Sequence, residues 1–175
     1  YGDNQVIKPS HMGFDLAKAD LPGSFDNMAV VKSGGNLSLR DGFVVKDVKN
    51  RKFNETWKPV WGEESEIVNN YNEMAVTLTQ PDMQRTMVIR FRVYDDGVGF
   101  RYEFPQQQNL NYFVIKEERT QFAMTGDHTA WWLAGDYDTQ EYECTRSRLS
   151  EIIKLFDASI CGNASQEQFS KTGVQ

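Results

Sequence analysis

Apolar residues in this chain recur at every second position far more often than at helical spacing. The clearest case is central. In residues 87–94, Ile89, Phe91 and Val93 alternate with Arg90, Arg92 and Tyr94. Beyond Asp95-Asp96-Gly97, Val98, Phe100, Tyr102 and Phe104 alternate with Gly99, Arg101 and Glu103, and Pro105 closes the run. Each strand therefore has one apolar and one polar face, as an antiparallel sheet packed on one side requires. Asp96-Gly97 is expected to supply the positive φ of a tight hairpin turn. Residues 74–79 form another alternating strand, ended by Pro81. Shorter strand signals stand at 112–115, 121–124 and 129–133. Upstream, 5–7 reads as a strand tail before a turn at Pro9-Ser10, followed by a stretch around Met12, Phe14 and Leu16. Leu21-Pro22-Gly23 breaks the chain, and Val44, Val45 and Val48 mark an irregular strand ending near Lys49-Asn50. Leu149, Ile152, Ile153 and Phe156 fit a helix, but the β-branched pair Ile152-Ile153 leaves helix and strand both open.

Many short antiparallel strands punctuated by Gly and Pro predict an all-β fold, an antiparallel β-sandwich. Residues 1–175 carry no internal repeat, low-complexity tract or linker, and one domain is expected. Of the residues, 39% are hydrophobic and 13% aromatic, enough for a core and suited to strands or to a carbohydrate-contacting surface. The net charge of -6 argues against nucleic acid as a partner, since a phosphate-binding chain needs a basic patch. No apolar run reaches membrane-spanning length.

Cys144 and Cys161 are the only cysteines, and His11 and His128 the only histidines. Two cysteines without a CxxC neighbour do not make a zinc site, and so few histidines disfavour Ser-His-Asp or Cys-His catalysis. A Cys144–Cys161 disulfide cannot be inferred from spacing; two semi-buried thiols are expected. The chain opens at Tyr1 without a methionine or signal peptide, and reads as part of something longer.

The stretch 130–151, AWWLAGDYDTQEYECTRSRLSE, is chemically the richest. Trp131 and Trp132 precede Asp136, Asp138, Glu141 and Glu143, with Arg146 and Arg148 following. Aromatic faces beside carboxylates suit stacking on sugar rings and oxygen ligation of a hard cation; a solvated acidic loop is the plainer alternative. Asp136-x-Asp138 starts like an EF-hand, but Glu141 stands where the loop needs Gly, so no self-contained calcium loop is present. A second cluster, 55–64, sets Trp57 and Trp61 around Pro59 in what reads as a loop. It either caps a pocket, docks on a neighbouring domain or fills one end of the core. Glu63, Glu64, Glu66, Glu117 and Glu118 read as solvated, His128 as a turn residue, and Asn163-Ala164-Ser165 as a chance glycosylation triplet.

Three strings, ETWKPVWGEES with NNYNEM, FRVYDDGVGFRYEFP and AWWLAGDYDTQEYECTRSRLSE, together resemble the N-terminal domain of glycoside hydrolase family 97. SQEQFSKTGVQ (165–175) is similar to a further stretch of that family. The resemblance implies a mutarotase-like super-sandwich, truncated here, standing before a catalytic (β/α)8 barrel that carries the general acid and base. It implies an exo-acting α-glycosidase parent, most simply an α-glucosidase, periplasmic or secreted, with oligosaccharide as substrate. It further implies calcium as cofactor, with Glu141 as the sandwich's ligand, Glu143 as second choice, and the remaining ligands on the barrel. Trp132 and Asp136 are the expected substrate contacts; this chain alone holds no catalytic residue. A stand-alone carbohydrate-binding module using Trp57, Trp61, Trp131 and Trp132, and a purely structural support for the barrel, are the competing readings.

Overall fold

The computed structural model describes residues 2–17, 38–111, 113–136, 143–159 and 169–174, with backbone alone for 136 and 169–174. The chain divides into two compact units, His11–Gln121 and a second composed of Tyr1–Ser10 with Phe122–Gln175.

His11–Gln121 is a sandwich of two antiparallel sheets. Phe14–Leu16 (β1) pairs with Ser38–Leu39 (β2) on one side. The second sheet is a meander of Val44–Trp57 (β3), Ile67–Gln80 (β4), Arg85–Val93 (β5) and Val98–Glu103 (β6). Ile115–Glu118 (β7) completes the first sheet, in the order β2-β1-β7. Between the sheets, Phe14, Leu16 and Leu39 meet Met87, Ile89 and Leu110, with Phe91, Phe100, Tyr102 and Phe104 packed around them. The alternation in β5 and β6 is thus the inward half of a sandwich, and the all-β fold expected from the sequence is the one observed. Gly13 crosses this core at φ 133; a Cβ there would lie 2.3 Å from the Leu39 carbonyl oxygen, so only glycine fits. Its N–H donates to the Tyr102 hydroxyl at 3.0 Å.

Three local expectations are corrected. The hairpin between β5 and β6 does turn at 94–97, closed by the Tyr94 N–H to the Gly97 carbonyl at 2.8 Å. Neither Asp96 nor Gly97 adopts a positive φ, however, because a four-residue connection lacks the twist demand of a two-residue turn. Strand β3 does not end near Asn50. It runs to Trp57, paired throughout with β4, and its early irregularity is a bulge between Val45 and Asp47. Trp57 is consequently the last residue of a strand, opposite Ile67, while Trp61 occupies the loop 58–66.

The outward face of the second sheet explains why β3 escaped the alternation test. Glu73 on β4 is 3% exposed, yet it is a carboxylate. Arg51 on β3 donates Nε to it at 2.6 Å and a second nitrogen at 3.0 Å. From β5, Arg90 reaches it at 2.6 Å and Arg92 at 2.9 Å. Arg90 also holds Glu103 of β6 at 2.7 and 2.8 Å, and Arg101 donates to Glu103 at 2.7 Å. The network links all four strands. Arg92 lies over the Tyr71 ring at 4.5 Å, and Tyr71 stacks on Phe53 at 5.0 Å, so guanidiniums and rings screen Glu73 from water.

The second unit is built from Thr129–Trp132 (β8), Ala134–Asp136 (β9), Thr145–Arg148 (β10), the helix Ile152–Ser159 (α1) and Phe169–Val174 (β11). β8 pairs with β10 and β9 with β11, all antiparallel. The expected strands at 5–7 and 121–124 are reduced to one bridge, Ile7 to Met124, flanked by Lys8 N–H to Ala123 O and Thr125 N–H to Val6 O. The ambiguous segment 149–156 is helical, entered through a 3₁₀ turn at Leu149–Glu151. The Glu151 carboxylate accepts the Arg148 N–H at 2.8 Å, and Asp127 accepts the Ser150 N–H at 2.9 Å. These caps outweigh the β-branched pair, and the Ser150 bonds hold the Asp127 carboxyl below its ordinary range. The Leu21-Pro22-Gly23 break, Tyr112, Asp138, Cys161 and Asn163-Ala164-Ser165 lie outside the described residues.

Hydrogen bonds from Arg51, Arg92 and Arg90 hold the Glu73 carboxyl down at about 2 from 4.5, and Arg90 and Arg101 hold Glu103 likewise at about 2. As pH falls below about 4.5, the unfolded chain takes up these protons before the folded one does. Stability is therefore expected to be level near neutrality and to fall between about pH 4.5 and 2, read by urea midpoints across pH. Glu73→Gln, which takes the carboxylate from Arg51 and Arg92 while Arg90 keeps Glu103, is expected to cost about 3 kcal/mol at pH 7 and to flatten that acid limb.

Candidate functional site

The segment singled out in the sequence is held at both ends by paired backbone. On the near side β8 leads through Leu133 into β9; on the far side β10 returns, with Thr145 opposite Trp132, Arg146 opposite Trp131 and Ser147 opposite Ala130. Asp136 ends β9, opposite Phe169. Glu141 lies outside the described residues, between these two anchored strands.

Neighbouring residues in a strand face opposite ways, and the two tryptophans separate accordingly. Sequence reasoning expects Trp132 at the substrate. The structure places it at 2% exposure, stacked on Phe156 of α1 with centroids 6.5 Å apart, in a core with Ala134. Its indole Nε1–H donates to Ser147 Oγ at 3.0 Å, and that hydroxyl donates on to the Arg148 carbonyl at 2.9 Å. Trp131 is the ring turned outward, 65% exposed, with the Arg146 guanidinium 5.6 Å from its centroid. Alternation alone cannot say which of two adjacent tryptophans points inward; the partner Phe156 on α1 decides it.

Beside them, Thr129, Arg146, Ser147, Arg148 and Glu151 line a shallow cleft of about 300 Å³. Glu143 and Cys144, at the start of the returning segment, are exposed. Cys144 is a free exposed thiol, not the semi-buried one expected, because it precedes β10 and lies beyond its packed residues. His128 stands in the connection just before β8, its Nε2 3.1 Å from the Thr125 hydroxyl. Of the second cluster, Trp61 and Val60 are 89% and 98% exposed and Trp57 is half-buried. Glu66 pairs with Lys58 across that loop at 3.4 Å, while Glu63 and Glu64 are exposed.

Calcium ligation requires roughly six to eight oxygens. Among the described residues no three carboxylate, histidine or cysteine side chains converge on one point. A carboxylate from Glu141 suits a hard cation chemically, and the other oxygens would have to come from beyond the described residues. Among the described residues no helix is long and apolar enough to cross a membrane.

Comparison with known proteins now adds identity. The family model described as Glycosyl-hydrolase 97 N-terminal matches residues 1–163. Its end falls before 165–175, the stretch for which the sequence also suggested likeness. A glycoside hydrolase family 97 enzyme from Pseudoalteromonas sp. strain K8, solved in complex with panose, is 31% identical at a TM-score of 0.64, over 84% of this chain and 20% of its own. The acarbose complex of the same enzyme gives the same identity, coverage and TM-score, 31%, 84% and 0.64. A β-arabinopyranosidase structure, 19% identical with a TM-score of 0.58 over 79% of this chain and 19% of its own, shares the fold. This chain thus spans about a fifth of the length of the structures it matches.

The division of roles between the tryptophans is directly measurable. Trp132→Ala is expected to cost about 3–5 kcal/mol, since it empties a stacked, buried site and removes the indole N–H that donates to Ser147. Trp131→Ala is expected to stay within about 1 kcal/mol of the parent. Equal urea midpoints for the two variants would refute this assignment.

With the family strings, the sandwich and the match to residues 1–163 in agreement, the chain belongs to glycoside hydrolase family 97 as the N-terminal domain of such an enzyme.

Proposed function

We propose that this chain is the non-catalytic sandwich of a calcium-dependent, exo-acting α-glycosidase, most simply an α-glucosidase. In this reading Glu141 lends one carboxylate to a calcium ion whose other ligands stand on a catalytic (β/α)8 barrel in the parent chain. The segment around Trp131 and Asp136 forms part of the active-site wall, with Asp136 as a substrate contact and Trp132 supporting the wall from within. The observation that carries the reading is the anchoring of the Glu141 segment between β9 and β10 in a chain of this family. Paired strands at both ends suit a segment that must present one oxygen donor to a metal within tenths of an ångström. A similar enzyme bound to panose and to acarbose supports oligosaccharide as the substrate class. The parent is read as periplasmic or secreted, on family resemblance.

The chemistry calcium would supply is rigidity and positive charge beside the reacting sugar. This chain's contribution is to hold a carboxylate, exclude water through Trp131 and Trp132, and leave acid–base work to the barrel.

Glu141→Gln keeps the side chain's size and hydrogen bonding but removes the charge a hard cation requires. In the full-length parent it is expected to weaken calcium binding at least about tenfold, by calorimetry, and to lower turnover of an aryl α-glucoside. In the 175-residue chain the same variant is expected to unfold at the unaltered midpoint. Unchanged calcium affinity in the parent would reject Glu141 and move the test to Glu143.

A second reading rests on the exposure of Trp61 and Trp131, at 89% and 65%. Rings so placed would stack on sugars in a free-standing carbohydrate-binding module. The sandwich reading expects the isolated chain to show no measurable maltooligosaccharide binding and no hydrolysis; binding abolished by Trp131→Ala or Trp61→Ala would favour the module.

A further inference from the structure

Gly99 is the second residue of β6, directly opposite Arg92 of β5, and nothing among the described residues requires a glycine there. Glycine inside a strand commonly answers to a positive φ, a bulge or a crowded backbone. Gly99 does not have a positive φ. The β5–β6 register is unbroken around it, running Val93–Val98, Arg92–Gly99, Phe91–Phe100 and Arg90–Arg101. A Cβ built on it meets no atom of the described residues within 4 Å. The remaining reason for a strand glycine is close approach by something from outside.

The missing side chain leaves a cleft of about 200 Å³ lined by Arg90, Arg92, Tyr94, Gly99, Phe100 and Arg101. Charge in this region is unbalanced. Four guanidiniums (Arg51, Arg90, Arg92, Arg101) surround two carboxylates (Glu73, Glu103), a surplus of two positive charges. Arg90 and Arg101 are direct cross-strand partners, a like-charge arrangement that repels unless anions bridge it. Glu103 bridges them from one side. Asp95 and Asp96 at the adjoining turn form no ion pair with these arginines among the described contacts. Arg92 and Arg101 remain partly open to solvent, at 35% and 64%.

The geometry points to a binding site for an oxoanion, a carboxylate, sulfate or phosphate group, seated over Gly99 between Arg92 and Arg101. Planar guanidiniums take such groups through paired N–H donors, and the glycine backbone lets the oxygens approach the sheet. The site goes beyond the calcium reading, uses none of its residues and stands or falls separately. The anion has two available sources: a free oxoanion, or an acidic side chain from another part of the parent.

Thermal unfolding of the 175-residue chain in sodium sulfate, against sodium chloride of equal ionic strength, tests the proposal. Sulfate is expected to raise Tm by about 4 °C at tenfold its Kd, with no such rise in chloride. Gly99→Val fills the cleft with a residue that strands favour, so its Tm without sulfate should equal or exceed that of the parent sequence. Its sulfate response should vanish. Arg101→Gln removes one exposed charge and should weaken sulfate binding about fivefold, giving a second reading that does not depend on filling the cleft. The same titration on the full-length parent separates the sources. A response in both chains assigns a free oxoanion; a response only in the 175-residue chain assigns a carboxylate of the parent already in place. Absence of a sulfate-specific response in the 175-residue chain, or an undiminished response in Gly99→Val, overturns the site.

Discussion

One buried carboxylate sets the register of the larger sheet. Glu73 receives guanidinium donors from β3 and β5 on either side of its own strand, and Arg90 passes the network on to Glu103 of β6. A lone buried carboxylate would cost several kcal/mol. Ringed by Arg51, Arg90 and Arg92 it is tolerable only in one pairing of the strands. Sliding β4 by one residue would turn Glu73 to the side that holds Met87 and Ile89. The apolar alternation on one face and the ionic network on the other therefore demand the same alignment, and that agreement makes a sheet of 14-residue strands unambiguous.

The second unit solves its positioning problem with packing. Trp132, Phe156 and Ala134 form a small core, and the indole–Ser147 bond ties β8 to β10 through their side chains as well as their backbones. Asp127 and Glu151 fix the start of the helical segment that carries Phe156. Each element restrains the next. The two strands that bracket residues 137–144 are thereby tied down through Trp132, Ala134 and Ser147, all buried.

How much of this was legible in the sequence follows from what kind of burial each residue has. The β5–β6 hairpin was readable because its burial is one-sided and apolar, the condition under which period two appears. β3 was readable only to about Asn50, since Arg51, Lys52 and Glu55 look like loop residues until their partners on β4 are known. Glu73 gave no signal either: a buried glutamate and a solvated one are the same letter, and its three arginines are 17 to 22 positions away. The helix at 152–159 hung on Asp127, which caps it from 23 residues upstream. Which ring of the tryptophan pair faces outward was not legible, because it depends on Phe156, 24 positions downstream of Trp132 in the sequence. Family strings, by contrast, carried the identity without any geometry, because order and spacing of several motifs are improbable together.

The same polar face also bears on how this sheet guards its edges. In the meander, β3 and β6 are the edge strands, and a long flat edge invites pairing with another chain. β3 counters with a bulge between Val45 and Asp47 and with the exposed cations Lys46, Lys49 and Lys52 along it. β6 counters with Arg101, whose charge stands at the rim. A buried ionic network adds little stability over apolar packing of equal volume, so stability alone does not account for four arginines here. Register accounts for Arg51, Arg90 and Arg92, which satisfy Glu73, and edge protection accounts for Arg101. Neither accounts for the two positive charges in excess of Glu73 and Glu103 beside Gly99, the strand position without a side chain. A positive surplus beside a vacant strand position is what a face keeps when something negative is meant to reach it.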